Sequence, residues 1–251
     1  MAAKKRKVEL VERVRQDPSN PEYTIVGVDY NERETVPWLK FIADNCPRAQ
    51  VVTINDTRPV GGCTTCAKML TFNMQNIARP DRVIFLDSDT LVFKDLGPVF
   101  SIMGKSVVGV SLKDRTEMDL FEFHRFASLR LPLHDAMRVL GIEKKPTYYM
   151  SGMIVLKGAD PRVFAHGWAN MTNILNKIPP QNFYYDEITL SFWLAAYFDE
   201  ENIWRIPGNV HDDGWLRSEQ DYRFEDIWVL HYHDAKRLRN RPQTKGLINE
   251  R

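Results

Sequence analysis

The segment Val83-Ile84-Phe85-Leu86-Asp87-Ser88-Asp89-Thr90 constrains the fold more than any other part of the chain. Four consecutive apolar residues leave no polar face for water, so they read as a strand covered on both sides. Two further strands precede it. Tyr23-Thr24-Ile25-Val26-Gly27-Val28 and Gln50-Val51-Val52-Thr53-Ile54 are rich in β-branched residues and bounded by turn formers. Between them Val36, Leu39, Phe41 and Ile42 recur at helical spacing over 34–45, and Thr64 or Thr65 can cap a helix running to about Ala78. Strand, helix, strand, helix, strand predicts an α/β fold with a mostly parallel central sheet and helices on both faces. Ligands of such sheets bind beyond the carboxyl ends of the strands, and there the chain places Asp87-Ser88-Asp89.

Downstream the pattern loosens. Strands are expected over 106–110, 148–156 and 227–230 and helices over 161–177 and 185–197, with 117–141 helical or irregular. Val8 to Arg15 reads as a helix, within a basic N-terminal helical region over 1–20, and 238–251 as a basic C-terminal tail. No repeat or linker divides the chain, so 1–251 is expected to be a single domain. With 43% hydrophobic and 27% charged residues the chain is globular in composition, and a net charge of +1 gives no global field toward nucleic acid. The basic runs Lys4-Lys5-Arg6-Lys7 and Lys236, Arg237, Arg239, Arg241 read as solvated faces that leave room for peripheral membrane contact. No segment nears the ~20 apolar residues of a membrane span, and the start of the chain lacks the apolar centre of a secretory signal. A cytoplasmic location is the expectation, with the three cysteines reduced. Cys63-Thr64-Thr65-Cys66 has the spacing of a redox pair, but no second pair accompanies it for zinc and the chain is too long for a thioredoxin fold.

Two carboxylates one residue apart, after a buried strand, can both reach one hard cation if the chain turns there. Oxygen ligands suit Mg²⁺ or Mn²⁺, ions that commonly neutralise a substrate diphosphate. A polar turn with an Asp cap is the bland reading. Haloacid-dehalogenase-like phosphatases also place Asp-x-Asp after an apolar strand. Under that alternative Asp87 is the nucleophile, and Lys157 with Asp212 and Asp213 are the available partners. Their motif opens the fold, whereas here two strands and two helices come first. A further alternative is a non-enzymatic module that binds a nucleotide or a partner through the basic termini.

Later segments separate these readings. Thr65-Cys66-Ala67-Lys68-Met69-Leu70, Phe85-Leu86-Asp87-Ser88-Asp89-Thr90-Leu91-Val92 with Asp95-Leu96, Tyr149-Met150-Ser151-Gly152-Met153-Ile154-Val155, Tyr185-Asp186-Glu187, and Val229-Leu230-His231-Tyr232 with Lys236 occur in that order. Over residues 23–237 the chain resembles the glycogenin-like, galactosyltransferase-like family 8 of retaining glycosyltransferases. Met150 stands where that family has Asn, and Glu187 where it has Gln. The resemblance implies a Rossmann-like GT-A domain that transfers a hexose from a nucleotide sugar, a UDP-sugar above all, to a glycan, protein or small-molecule acceptor. It implies Mn²⁺ or Mg²⁺ held by Asp87, Asp89 and His231. Lys68 and Lys236 would face the diphosphate, and Asp186 the sugar and its acceptor. Ser88, Ser151 and Gly152 would line the donor, and Asp29 and Tyr30 would meet base and ribose.

Other polar residues carry less. His233 would point away from His231 along a strand. His211-Asp212-Asp213 reads as a loop, either exposed or touching substrate, and Trp215 beside it could form an acceptor platform. His124, His134 and His166, and Trp168, Trp193, Trp204 and Trp228, read as structural.

Overall fold

The computed structural model describes residues 11–29, 32–55, 65–112, 118–123, 127–179, 184–212 and 226–231. In chain order they form β1 (Glu12–Gln16), β2 (Tyr23–Val28), α1 (Glu32–Asn45), β3 (Ala49–Ile54), a 3-10 helix (Thr65–Asn73), β4 (Arg82–Leu86) and β5 (Thr90–Val92). Then come α2 (Val99–Ile102), β6 (Val108–Leu112), α3 (Leu120–Phe123), α4 (Ala127–Leu140), β7 (Tyr149–Lys157), α5 (Pro161–Leu175) and α6 (Asp186–Tyr197). β8 (Ile203–Ile206), β9 (His211–Asp212) and β10 (Val229–His231) follow.

Seven strands form one sheet in the order β1-β3-β2-β4-β7-β6-β8, and β5-β10-β9 form a small second sheet. The α/β class is as expected, and the α–β alternation of the first ninety residues yields the parallel pairs β3/β2 and β2/β4. The sheet as a whole is mixed rather than mostly parallel. β7 runs antiparallel to both β4 and β6, and β1 antiparallel to β3. The reversal of β7 matters for the site. A strand parallel to β4 would present its last residues beside Asp87, whereas β7 presents its first, Tyr149 to Gly152. Leu86 pairs with Met153, and the Asp87 amide donates to the Gly152 carbonyl at 3.0 Å.

The expected N-terminal helix is corrected. Residues 12–16 are a strand that closes the outer edge of β3. Arg15 reaches Thr53 and Asp29, and the Gln16 amide donates to the carbonyls of Cys46 and Ala49 at 2.9 and 2.8 Å. An exposed sheet edge needs backbone partners, and that demand outweighs a weak local helical pattern. The expected helix to Ala78 is also shorter, a 3-10 helix ending at Asn73. Side chains capture the amides that would continue it: Glu12 accepts from Gln75 and Asn76, and Gln50 from Ala78.

Helices cover both faces of the large sheet. One apolar cluster packs Trp168, Phe164, Met69 and Phe72 against Val83 and Phe85, and the other packs Trp38 and Ile42 against Ile25 and Ile84. Burying an aromatic or large aliphatic side chain contributes roughly 1.5–3 kcal/mol, so these two layers hold the strand ends rigid. Trp168 and Trp193 lie in the core, and Trp204 and Trp228 pack against it, as expected. Asp160 caps α5 by accepting from the Arg162 amide at 2.8 Å, with Pro161 in the first turn. Among the described residues no helix is long and apolar enough to cross a membrane.

Candidate functional site

β4 delivers Asp87 at its carboxyl end, and the chain turns at once. The Thr90 amide and hydroxyl both donate to the Asp87 carbonyl, at 3.2 and 2.7 Å. This tight turn buries Ser88 and starts β5. β5 pairs antiparallel with β10, with Thr90 opposite His231. A residue 142 positions beyond Asp89 is thereby brought against it. The His231 Nε2 lies 3.0 Å from Asp89 Oδ1 and 3.9 Å from Asp87 Oδ2. One ligand atom from each of the three residues lies within 4.8 Å of the others. The His231 ring edge rests on Gly152, where an added Cβ would stand 2.5 Å from Nδ1.

A second group adjoins the first. The buried Lys68 ammonium donates to Ser151 Oγ at 2.9 Å and lies 3.0 Å from Asp87 Oδ2 and 2.7 Å from Asp186 Oδ2. Ser151 donates to Asp186 at 2.5 Å. Lys68 comes from the 3-10 helix, Ser151 from the start of β7, and Asp186 from the first turn of α6. Three carboxylates thus share one ammonium and one imidazole, which leaves an excess of negative charge. Burial pushes the Asp87 carboxyl above its usual value; Asp89 and Asp186 add to this, and Lys68 and His231 oppose it. A divalent cation fits such a donor set, two carboxylates and an imidazole, and would offset the excess charge. Lys68→Met should lower stability by roughly 3 kcal/mol, because the buried Asp186 and the half-buried Asp87 carboxylates lose their shared partner. Denaturant unfolding of the metal-free protein reads this, and a midpoint equal to that of the unsubstituted chain would contradict it.

The other expected site residues divide. Asp29 is buried, but its carboxylate accepts from Arg15 and, at 2.8 Å, from the Thr35 hydroxyl, with Arg13 at 3.7 Å. It is therefore locked into the β1–β2–β3 edge. Tyr30, Lys236, His233, Asp213, Trp215, Cys63 and His124 lie outside the described residues, as do both basic terminal runs. His134 and His166 are exposed on α4 and α5. Lys157, which the phosphatase alternative needs, sits at the opposite end of the sheet. It pairs with Arg82 at the start of β4 and donates to the Gly104 carbonyl. His211 and Asp212 correct the expectation of a loop. They form β9, buried and parallel to β10. The His211 ring stacks on His231, with centroids 5.7 Å apart and planes at 29°. No sequence signal marked Ser111, whose hydroxyl meets His211 Nδ1 at 2.6 Å.

No protein-family model and no curated protein matches this sequence. Solved structures do. The bifunctional glycosyltransferase WbbM superposes with a TM-score of 0.54 at 12% identity over 92% of this chain. The galactosyltransferase LgtC, in complex with donor and acceptor sugar analogues, gives 0.53 at 13% identity over 90%. The apo glycosyltransferase GlyE of Streptococcus pneumoniae TIGR4 gives 0.57 at 11% identity over 92%. The match spans 95% of LgtC, but 52% of WbbM and 61% of GlyE. By these superpositions the chain has a GT-A glycosyltransferase fold.

Proposed function

We propose that the protein is a metal-dependent glycosyltransferase that moves a hexose from a nucleotide sugar, a UDP-sugar in the first instance, to an acceptor with retention of configuration. The observation that carries this reading is the meeting of Asp87, Asp89 and His231 within 4.8 Å at the carboxyl end of a buried strand. Mn²⁺ or Mg²⁺ held by these three residues would neutralise charge building on the leaving diphosphate. The chain's own residues do the rest. Lys68, desolvated and fixed by Ser151, directs a positive charge toward the same face as Asp87 and adds electrostatic stabilisation there. Asp186, held by Lys68 and Ser151, offers a carboxylate to the sugar or to the incoming hydroxyl. Gly152, with no side chain, leaves room for the Nδ1–Cε1 edge of the His231 ring. Lys236 would join Lys68 at the phosphates, and Asp29 and Tyr30 would bound the nucleoside.

Calorimetry with UDP tests this. Binding is expected with Mn²⁺ present and absent in EDTA, a loss of at least ~100-fold if most of the contact to the diphosphate is electrostatic. Equal UDP affinity in EDTA and in Mn²⁺ would overturn the metal-dependent reading.

A further inference from the structure

His211 and Ser111 have no part in the roles assigned above, yet they touch the site. His231 turns Nε2 toward Asp89 and Asp87. Its Nδ1–Cε1 edge abuts Gly152, where a Cβ would lie 2.5 and 2.6 Å from those atoms. Its face is covered by the His211 ring, and His211 is held in turn by the Ser111 hydroxyl at 2.6 Å. Ser111 belongs to β6 of the large sheet, paired with Met150 of β7 and Ile206 of β8. His211 belongs to the small sheet that carries His231. The two residues are each only 3% exposed. An apolar pair of the same shape could fill the same space at little or no cost in stability, so packing alone does not call for a hydroxyl and an imidazole here. Such a pair beside a candidate ligand has a physical use. The ring torsion of a histidine is broad, so a ligating imidazole needs neighbours that fix its orientation.

We infer that His211, anchored by Ser111, is a positioning residue that holds the His231 ring with Nε2 aimed at the space between Asp87 and Asp89. The contact also ties the small sheet to the large one at the point where the ligand set must assemble. The inference rests on the cation reading of Asp87, Asp89 and His231.

The test uses the full chain and Mn²⁺ alone, with free Mn²⁺ read by electron paramagnetic resonance. Imidazole nitrogen NMR of the metal-free protein gives a second readout. His231→Ala is the reference and should weaken Mn²⁺ binding roughly 100-fold. His211→Ala should weaken Mn²⁺ binding about tenfold, within the range for residues that orient a ligand, and should spread or average the His231 ring signals. His211→Phe keeps a ring on His231 and should recover part of the affinity, which loss of packing elsewhere would not predict. Ser111→Ala should give a smaller loss in the same direction. Mn²⁺ affinity unchanged by His211→Ala, with binding weakened in His231→Ala, overturns this inference and leaves the cation site standing. Equal binding by the unsubstituted chain and His231→Ala removes the cation reading, and this inference with it. Should His211→Ala fail to fold, Ser111→Ala decides: unchanged affinity with unchanged His231 signals overturns the inference.

Discussion

Asp87→Asn should abolish sugar transfer, by on the order of 10³-fold or more, while leaving the metal-free fold at least as stable as the unsubstituted protein. The two halves of this result have one cause. Burial raises the Asp87 carboxyl above its ordinary value, more than Lys68 and His231 beside it lower it. A carboxyl whose folded value is raised binds its proton more tightly when folded. Its ionised form therefore costs stability, and the cost grows as pH rises from the unfolded value of about 3.9 through the folded one. Asparagine has the same shape and no such titration, so the variant lacks that fall in stability with pH. Lys68 is not orphaned, because Asp186 and Ser151 still hold it. Mn²⁺ reverses the order. At a hundredfold excess over its dissociation constant a ligand adds about 2.7 kcal/mol to the state that binds it, and only the carboxylate form gains this. Thermal unfolding with and without Mn²⁺, beside a transfer assay, checks both halves. A variant with normal transfer, or one that unfolds far earlier without metal, would show that Asp87 is structural.

What the sequence made legible follows from which signals are local. The strand Val83–Leu86 and the acidic pair after it lie within seven residues, so burial and chemistry could be read together. His231 was legible because an apolar run leads straight into it. Strand direction was not. A largely apolar strand such as the nine-residue β7 reads alike both ways, so nothing in Tyr149–Lys157 announced that it would run against β4. The N-terminal segment failed for another reason. Glu12–Gln16 carries one apolar residue, Val14, and its strand state is imposed by the edge of β3 forty residues later. His211 and Asp212 make a strand of two residues, too short for any periodicity. Their burial depends on β10, which closes over them from residues 229–231. Lys68 was marked only through family resemblance, since one lysine in an amphipathic turn looks solvent-bound. Its burial arises because Asp87, Ser151 and Asp186 converge from three elements.

Gly152→Ala should cost nearly as much metal affinity as removing His231 itself, roughly 100-fold, although it adds one methyl group and touches no ligand chemically. The backbone at Gly152 is not in the left-handed region, which among the described glycines is confined to Gly104, Gly141 and Gly158, so alanine meets no torsional obstacle. The obstacle is spatial. The new Cβ would lie 2.5 Å from Nδ1 and 2.6 Å from Cε1 of His231, and 3.5 Å from Asp87 Oδ2. Neither side can yield cheaply. β7 is paired on both edges and accepts the Asp87 amide through the Gly152 carbonyl. β10 is paired with β5 and β9, and a face of the His231 ring meets His211. The ring must swing out of the site, or the small sheet must shift and carry the Asp89 turn with it. Overpacking of this kind costs about 1–3 kcal/mol of stability, so the folded variant can be assayed. The decisive measurement is a cycle with His231→Ala, read as Mn²⁺ affinity. If both substitutions act by taking the same imidazole away, the double variant binds no more weakly than His231→Ala alone. Additive losses would mean that Gly152 serves the site by some route other than His231, and an unaltered affinity in Gly152→Ala would mean that the ring has room the structure does not give it.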